Sequence, residues 1–220
     1  MGERSPDTLV VTQANRRAAD LLTQWRAWPG GALALVGPPG AGKTHLALAW
    51  ALEAGARQVS PTAAPDDGAA IFLESGGRVL IDNADGERDE AMFWRVLDMA
   101  RSRGGAVLLA GSGSPSVWPV ALPDLRSRLA ALPVARLEEP DEALLNVVLR
   151  RLCREQFIQL SDDGAKYLVE RMPRTFAAAR AVVAALDAGL VKGARPVGVK
   201  TAKKALEQAQ AGWGDEVGDS

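Results

Sequence analysis

The 220-residue sequence predicts an α/β domain, a doubly wound parallel sheet carrying a phosphate-binding loop, followed by a small all-helical domain. Three observations predict it. Residues Ala32–Val36, Val79–Ile81 and Ala106–Ala110 are continuous apolar runs of strand length, the pattern of parallel strands covered on both faces. Stretches of helical periodicity separate these runs. Beyond Glu138-Glu139-Pro140 the composition shifts and the strand pattern gives out.

Taken in order, Ala18, Leu21, Leu22 and Trp25 recur at helical spacing and predict a helix over 15–27, capped by Asn15 and stopped by Trp28-Pro29-Gly30-Gly31. The first strand and a Gly/Pro-rich turn lead into a helix over Lys43–Ala54. A short strand at Gln58-Val59 and a helix over Asp67–Ser75 come next, closed by Gly76-Gly77. After the strand Val79–Ile81, the positions Met92, Phe93, Val96, Leu97 and Ala100 give one apolar face to a helix over Glu87–Arg103. The strand Ala106–Ala110 then precedes a loop marked by Pro115, Pro119 and Pro123, a helix over Asp124–Leu129 and a last strand within Leu132–Leu137.

In the second domain, Leu144, Leu145, Val148, Leu149, Leu152 and Cys153 form one stripe and predict a helix over Asp141–Phe157. A helix capped by Ser161 and running to Met172 follows, then one over Thr175–Leu190, a short strand at Val197–Val199 and a helix over Lys200–Ala211. Residues 212–220 read as a frayed acidic tail.

Composition excludes several chemistries. The chain is 47% hydrophobic and 24% charged, as globular proteins are. Lys and Arg total 26 against 27 Asp and Glu, a net charge of −1. That balance argues against direct sequence-specific DNA binding, which usually brings an excess of positive charge. No apolar run is long enough to span a membrane and the N-terminus lacks a secretory core, so the expectation is a cytoplasmic protein with no membrane partner. A single cysteine, Cys153, removes disulfides and thiolate zinc sites, and a single histidine, His45, removes a His-rich metal site. His45 itself reads as a surface or packing residue.

The sharpest motif is Gly37-Pro38-Pro39-Gly40-Ala41-Gly42-Lys43-Thr44, which fits G-x-x-x-x-G-K-[ST] between a buried strand and a helix. Glycines let the backbone curl and expose consecutive N–H groups to an anion, and the helix adds the positive end of its dipole. Lys43 is expected to reach the β- and γ-phosphates of ATP or ADP, and Thr44 to place its hydroxyl on Mg²⁺. Asp82, at the end of the strand Val79–Ile81, is the second expected Mg²⁺ partner. Asn83 occupies the position where many such ATPases carry a water-orienting carboxylate. An amide hydrogen-bonds water but takes no proton, so nucleotide binding with weak intrinsic turnover is expected. Asp85 and Asp89 lie nearby and could substitute for that carboxylate, though neither is at the strand edge.

The loop Gly37–Leu46, the Val79–Asn83 segment and the stretch Leu122-Pro123-Asp124-Leu125-Arg126-Ser127-Arg128-Leu129, together with Trp118-Pro119, resemble the DnaA/Hda family of AAA+ proteins. The likeness runs from about Asp7 to about Leu206, and the Leu-Pro-Asp-Leu-x-Ser-Arg-Leu stretch is its most specific part. It implies an AAA+ nucleotide-binding domain over 1–138, a helical lid over 139–211 and a flexible tail over 212–220. Val10, Val11 and Asn15 fall in the segment that lies against the adenine in such proteins. Arg128 matches an arginine finger acting in trans on a neighbouring subunit. Ser112 stands where the family commonly has a sensor Asp. Ala177 stands at the sensor arginine, with Arg180 and Arg174 beside it as replacements.

The implied role is regulation of replication initiation by promoting hydrolysis of DnaA-bound ATP. DnaA is the implied partner, with the sliding clamp and a second copy of this chain as further ones, although Met1–Thr8 carries no clamp-docking motif. The competing readings are a clamp-independent or nucleotide-locked scaffold on DnaA, and an autonomous P-loop phosphotransferase.

Overall fold

Strand β1 (Ala32–Val36) is buried along its whole length because it lies inside a sheet with helices on both faces. The computed structural model describes residues 11–189 and 196–213. The chain divides into two compact units, Met1–Glu138 and Glu139–Ser220. In the first, β1 is joined by β2 (Arg57–Gln58), β3 (Arg78–Ile81), β4 (Ala106–Gly111) and β5 (Val134–Arg136). The order is β2-β3-β4-β1-β5, and every pair is parallel. This is the doubly wound α/β fold that the apolar runs predict.

The period-two geometry of a strand explains why these runs are continuously apolar. Ala32, Ala34, Val36, Val79, Ile81, Val107 and Leu109 enter one core with Phe72, Phe93, Val96 and Leu125. Leu33, Leu35, Leu80, Ala106, Leu108 and Ala110 enter the other, with Leu22, Leu46 and Trp50. The helices sort accordingly. One face carries α3 (Pro65–Glu74), α4 (Glu90–Arg103) and α5 (Pro123–Ala130), and the other carries α1 (Gln13–Thr23) and α2 (Lys43–Ala54). On the α2 side, Trp28 stacks on Trp50 with ring centroids 5.2 Å apart, and its indole N–H donates to the Leu21 carbonyl at 2.8 Å.

Local chemistry moves several boundaries. Asn15 does not cap α1. Thr12 is the cap residue, and Asn15, three positions on, accepts from the Thr12 backbone N–H at 2.8 Å, which starts the helix earlier than periodicity indicates. Pro65, fixed at a helical φ, opens α3 two residues before the expected start. Asp89 begins α4 by accepting from the Met92 N–H at 2.8 Å, so residues 87–89 lie outside the helix. The edge strand β2 is Arg57–Gln58, with Val59 buried just beyond it.

The second unit is helical: α6 (Glu142–Glu155), α7 (Asp162–Val169), α8 (Phe176–Gly189) and α9 (Val199–Trp213) enclose Leu145, Leu149, Cys153, Leu168, Val182 and Leu206. Asp141 and Ser161 cap α6 and α7 through the N–H groups of Leu144 and Gly164. The expected strand at Val197–Val199 is a single bridge between Val197 and Leu160, because Val199 already opens α9. Helix α6 ends with Phe157 donating to the Arg154 carbonyl and Ile158 to that of Cys153, the paired bonds of a Schellman motif. The left-handed position of that motif is filled by Phe157, at φ 59° and 97% exposed.

Candidate nucleotide site

Open α/β sheets hold ligands outside the carboxyl ends of their strands, where the winding reverses. Here the reversal falls at β1, since the connections from β1 lead to one side and β5 lies on the other. The segment leaving β1 at that point is 37–44.

Its curl is imposed by close packing. A side chain on Gly37 would come within 2.7 Å of the Leu137 carbonyl oxygen and 3.0 Å of its Cβ, so only glycine lets the loop leave β1 beside the chain emerging from β5. Gly40 and Gly42 turn the backbone with φ of 75° and 90°, values open to glycine and strained for other residues. Gly42 thereby becomes the cap residue of α2, and Leu46 makes the first bond of that helix, to the Gly42 carbonyl at 3.0 Å.

The backbone N–H groups of Gly40, Gly42, Lys43 and Thr44 consequently donate to no protein acceptor among the described residues, whereas Ala41 donates to Pro38. Four free donors at the positive end of a 12-residue helix form an anion cradle. Lys43 closes it. Its ammonium donates to the carbonyls of Gly37 at 2.8 Å and Pro38 at 3.0 Å. Burial pushes the Lys43 pKa below the usual lysine range, and the carboxylates of Asp85 and then Asp82 oppose that shift. Thr44, in the first turn of α2, is exposed.

Asp82 follows β3 directly and is 9% exposed, its Oδ1 accepting from the Asn83 N–H at 3.0 Å. Its strand lies two places from β1, about 10 Å between backbones. Asn83 is exposed and takes a left-handed φ of 54°, a conformation asparagine tolerates better than most residues.

Asp85 lies beyond β3, in a turn closed by the Gly86 N–H donating to the Asn83 carbonyl at 3.1 Å. The Ala84 N–H donates to the Ala110 carbonyl at 2.8 Å, which pins this turn against the end of β4. The Asp85 Oδ1 lies 2.8 Å from where a side chain on Gly111, the last residue of β4, would begin. The Asp-Asn-Ala-Asp-Gly stretch is the turn that the sequence suggests, but the sequence does not show that this turn packs against Gly111 at the end of β4. Asp89, by contrast, is spent on capping α4.

The loop, Lys43, Asp82 and Asp85 therefore come together, while other expected site residues stand elsewhere. Arg128 on α5 donates to Asp98 of α4 at 2.8 Å and lies over the Trp94 ring, 5.3 Å from its centroid. The preceding loop is held by Glu90, whose carboxylate accepts from the N–H groups of Ala121 and Leu122, both at 2.7 Å. Leu125 and Leu129 anchor α5 in the core. Ser112 offers its carbonyl to the Trp118 indole at 2.9 Å. In the second unit, Arg174 pairs with Glu142 at 2.9 Å, and Arg180 lines a shallow groove with Leu152, Gln156 and Asp187. Val10 lies outside the described residues, and Val11 is 43% exposed.

No family model matches the chain. An uncharacterized protein of Haemophilus influenzae is 26% identical over 182 residues, 77% of this chain and 79% of that protein. Domain III of the Thermotoga maritima replication initiation protein DnaA superposes with a TM-score of 0.71 at 18% identity, over 93% of this chain and 95% of that one. The Thermotoga maritima RuvB Holliday junction branch migration motor gives 0.68 at 21% identity, over 90% and 69%. The chain shares the α/β fold of these two proteins. A replication initiator DnaA bound to AMPPCP and single-stranded DNA has the same fold at a TM-score of 0.63 and 18% identity, over 97% of this chain and 70% of that one.

The cradle meets the needs of a polyphosphate: free N–H donors, a helix N-terminus and a cation already held among loop carbonyls. Among the described residues, no cluster of three or more His, Cys, Asp or Glu side chains could hold a metal ion. No helix among the described residues is long and apolar enough to cross a membrane.

Proposed function

We propose that this chain is a nucleotide-gated regulator of replication initiation that binds ATP or ADP with Mg²⁺ at residues 37–44 and acts on DnaA. The observation that carries the reading is the set of four free N–H groups closed by Lys43, set opposite the carboxylates at the β3 edge. The likeness to DnaA domain III over nearly the whole chain supports the choice of partner.

In this reading the free N–H groups of Gly40, Gly42, Lys43 and Thr44 and the Lys43 ammonium bind the phosphates, and Thr44 and Asp82 hold the metal. Bound Mg²⁺ neutralises phosphate charge. Arg128 enters the ATP site of DnaA and neutralises charge growing on the γ-phosphoryl group as it transfers, an effect worth roughly 10³- to 10⁵-fold in such systems. The same surface serves a second copy of this chain, and the sliding clamp is a further partner. The test is hydrolysis of DnaA-bound ATP with the native chain and with Arg128→Ala. Stimulation by the native chain alone is expected, and equal stimulation by both overturns the finger assignment.

The Arg128–Asp98 pair favours one alternative. A guanidinium already engaged within its own chain fits a scaffold that docks on DnaA without accelerating hydrolysis. In that case the chain still binds DnaA, and the nucleotide on DnaA is the same before and after incubation.

A further inference from the structure

The proposed site has an amide, Asn83, where a carboxylate would orient the attacking water, yet a carboxylate stands at the same sheet edge two residues on. We propose that Asp85 is the water-orienting group and general base for the chain's own slow hydrolysis of ATP, a role that rests on the nucleotide-binding reading above.

Three observations place it. The Ala84 N–H donates to the Ala110 carbonyl, which pins the turn after β3 to the end of β4 and holds Asp85 beside the carboxyl edge of the sheet. Its carboxylate packs against Gly111, where any side chain would collide with Oδ1 and with the Trp118 ring, both at 2.8 Å. Neither of its oxygens accepts a hydrogen bond among the described residues, whereas the oxygens of Asp82 and Asp89 are used by the N–H groups of Asn83 and Met92. Asp85 is thus the carboxylate left available beside the cradle.

Arg88 fixes the turn that carries it. The guanidinium donates from Nη2 to the Asp85 carbonyl at 2.8 Å and from Nε to the Gly86 carbonyl at 3.0 Å. It also lies 5.7 Å from the Trp118 ring centroid and 5.9 Å from that of Phe93. The Asp85 carboxylate favours the charged forms of both the Lys43 ammonium and this guanidinium, against the larger opposing effect of burial. Asn83 is aimed otherwise: its left-handed backbone turns it out of the ladder, and it is exposed.

The step balances simply. The water oxygen bonds to the γ-phosphorus as the bond from that phosphorus to the β,γ-bridging oxygen breaks. The water proton passes to the Asp85 carboxylate and then to solvent, leaving ADP and inorganic phosphate.

The test is single-turnover hydrolysis of ATP with magnesium by the full chain, alongside calorimetric affinity for ATP, for the native protein, Asp85→Asn and Asp85→Glu. Asp85→Asn is expected to bind ATP within about twofold of native and to hydrolyse it about 100-fold more slowly, the span of a general base. Asp85→Glu keeps a base on a longer arm and recovers part of the rate, which also serves if the amide variant fails to fold. Native-like hydrolysis by Asp85→Asn, a loss confined to affinity, or no hydrolysis by a native chain that binds ATP would each overturn the proposal. Absence of ATP binding by the native chain would instead overturn the nucleotide site itself.

Discussion

Arg128 on α5 and Asp98 on α4 are joined at 2.8 Å, with Trp94 beneath the guanidinium, so the arginine that resembles a finger is held by its own subunit. The pair is partly exposed on both sides, and such pairs contribute at most about 1 kcal/mol. Arg128→Ala should therefore leave folding almost unchanged while removing any effect in trans. Thermal unfolding followed beside the DnaA assay checks both halves. A large fall in melting temperature would make the residue structural.

Gly37 is expected to be the least replaceable residue of the cradle. Gly37→Ala drives a methyl group to within 2.7 Å of a backbone oxygen that cannot swing away. A destabilisation of about 1–3 kcal/mol is expected from such overpacking, together with loss of nucleotide binding. Gly55→Ala, at φ 67° with open space around it, is strained without a collision and should leave binding intact. Denaturant unfolding and calorimetry of the two variants separate the effects.

The lowered pKa of Lys43 has a measurable sign. Free of ligand, the buried ammonium releases its proton below the usual lysine range, and a bound polyphosphate favours the charged form. Nucleotide binding should then take up protons in the window between the lowered value and the usual lysine range. Calorimetry in two buffers of different ionisation enthalpy reads that uptake directly. In the same window the unfolded chain holds more protons than the ligand-free fold, so the Lys43 contribution makes ligand-free stability rise with pH. Lys43→Met should abolish both effects.

These expectations stand on parts of the molecule that differ in how openly the sequence displays them. The strands β1, β3 and β4 are legible because a strand covered on both faces must be apolar at every position. Helix α2 is legible from Gly42 and Lys43 to Gly55, since its ends are set by glycine. Boundaries fixed by a single side-chain bond, such as Thr12 with Asn15, are harder to read, because periodicity does not say which polar residue takes the cap. The loop and Asp82 were readable from motif and strand end. Asp85 was readable as a substitute for the carboxylate missing at Asn83, but its place against Gly111 was not, since that depends on a bond from Ala84 to Ala110, 26 positions further along the chain.

Phe157 offers a test independent of the site. It occupies the left-handed position of the Schellman motif ending α6, at φ 59°, and is 97% exposed. Phe157→Gly removes a backbone cost of about 1–2 kcal/mol for an L-residue and surrenders no buried area. Offset by the greater freedom of glycine in the unfolded chain, a net gain of about 1 kcal/mol is expected. A rise in denaturation midpoint measures it, and an unchanged or lower midpoint would show that the exposed ring contributes to the fold.

The Trp28–Trp50 pair has an optical consequence. Two indoles 5.2 Å apart, inclined by 27°, couple their excited states and should imprint an exciton couplet on the circular dichroism spectrum. Trp50 rides on the helix whose first residue is Lys43, so a tilt of that helix as the cradle fills would alter the couplet. A couplet that changes on adding ATP and magnesium would then report occupancy without a label.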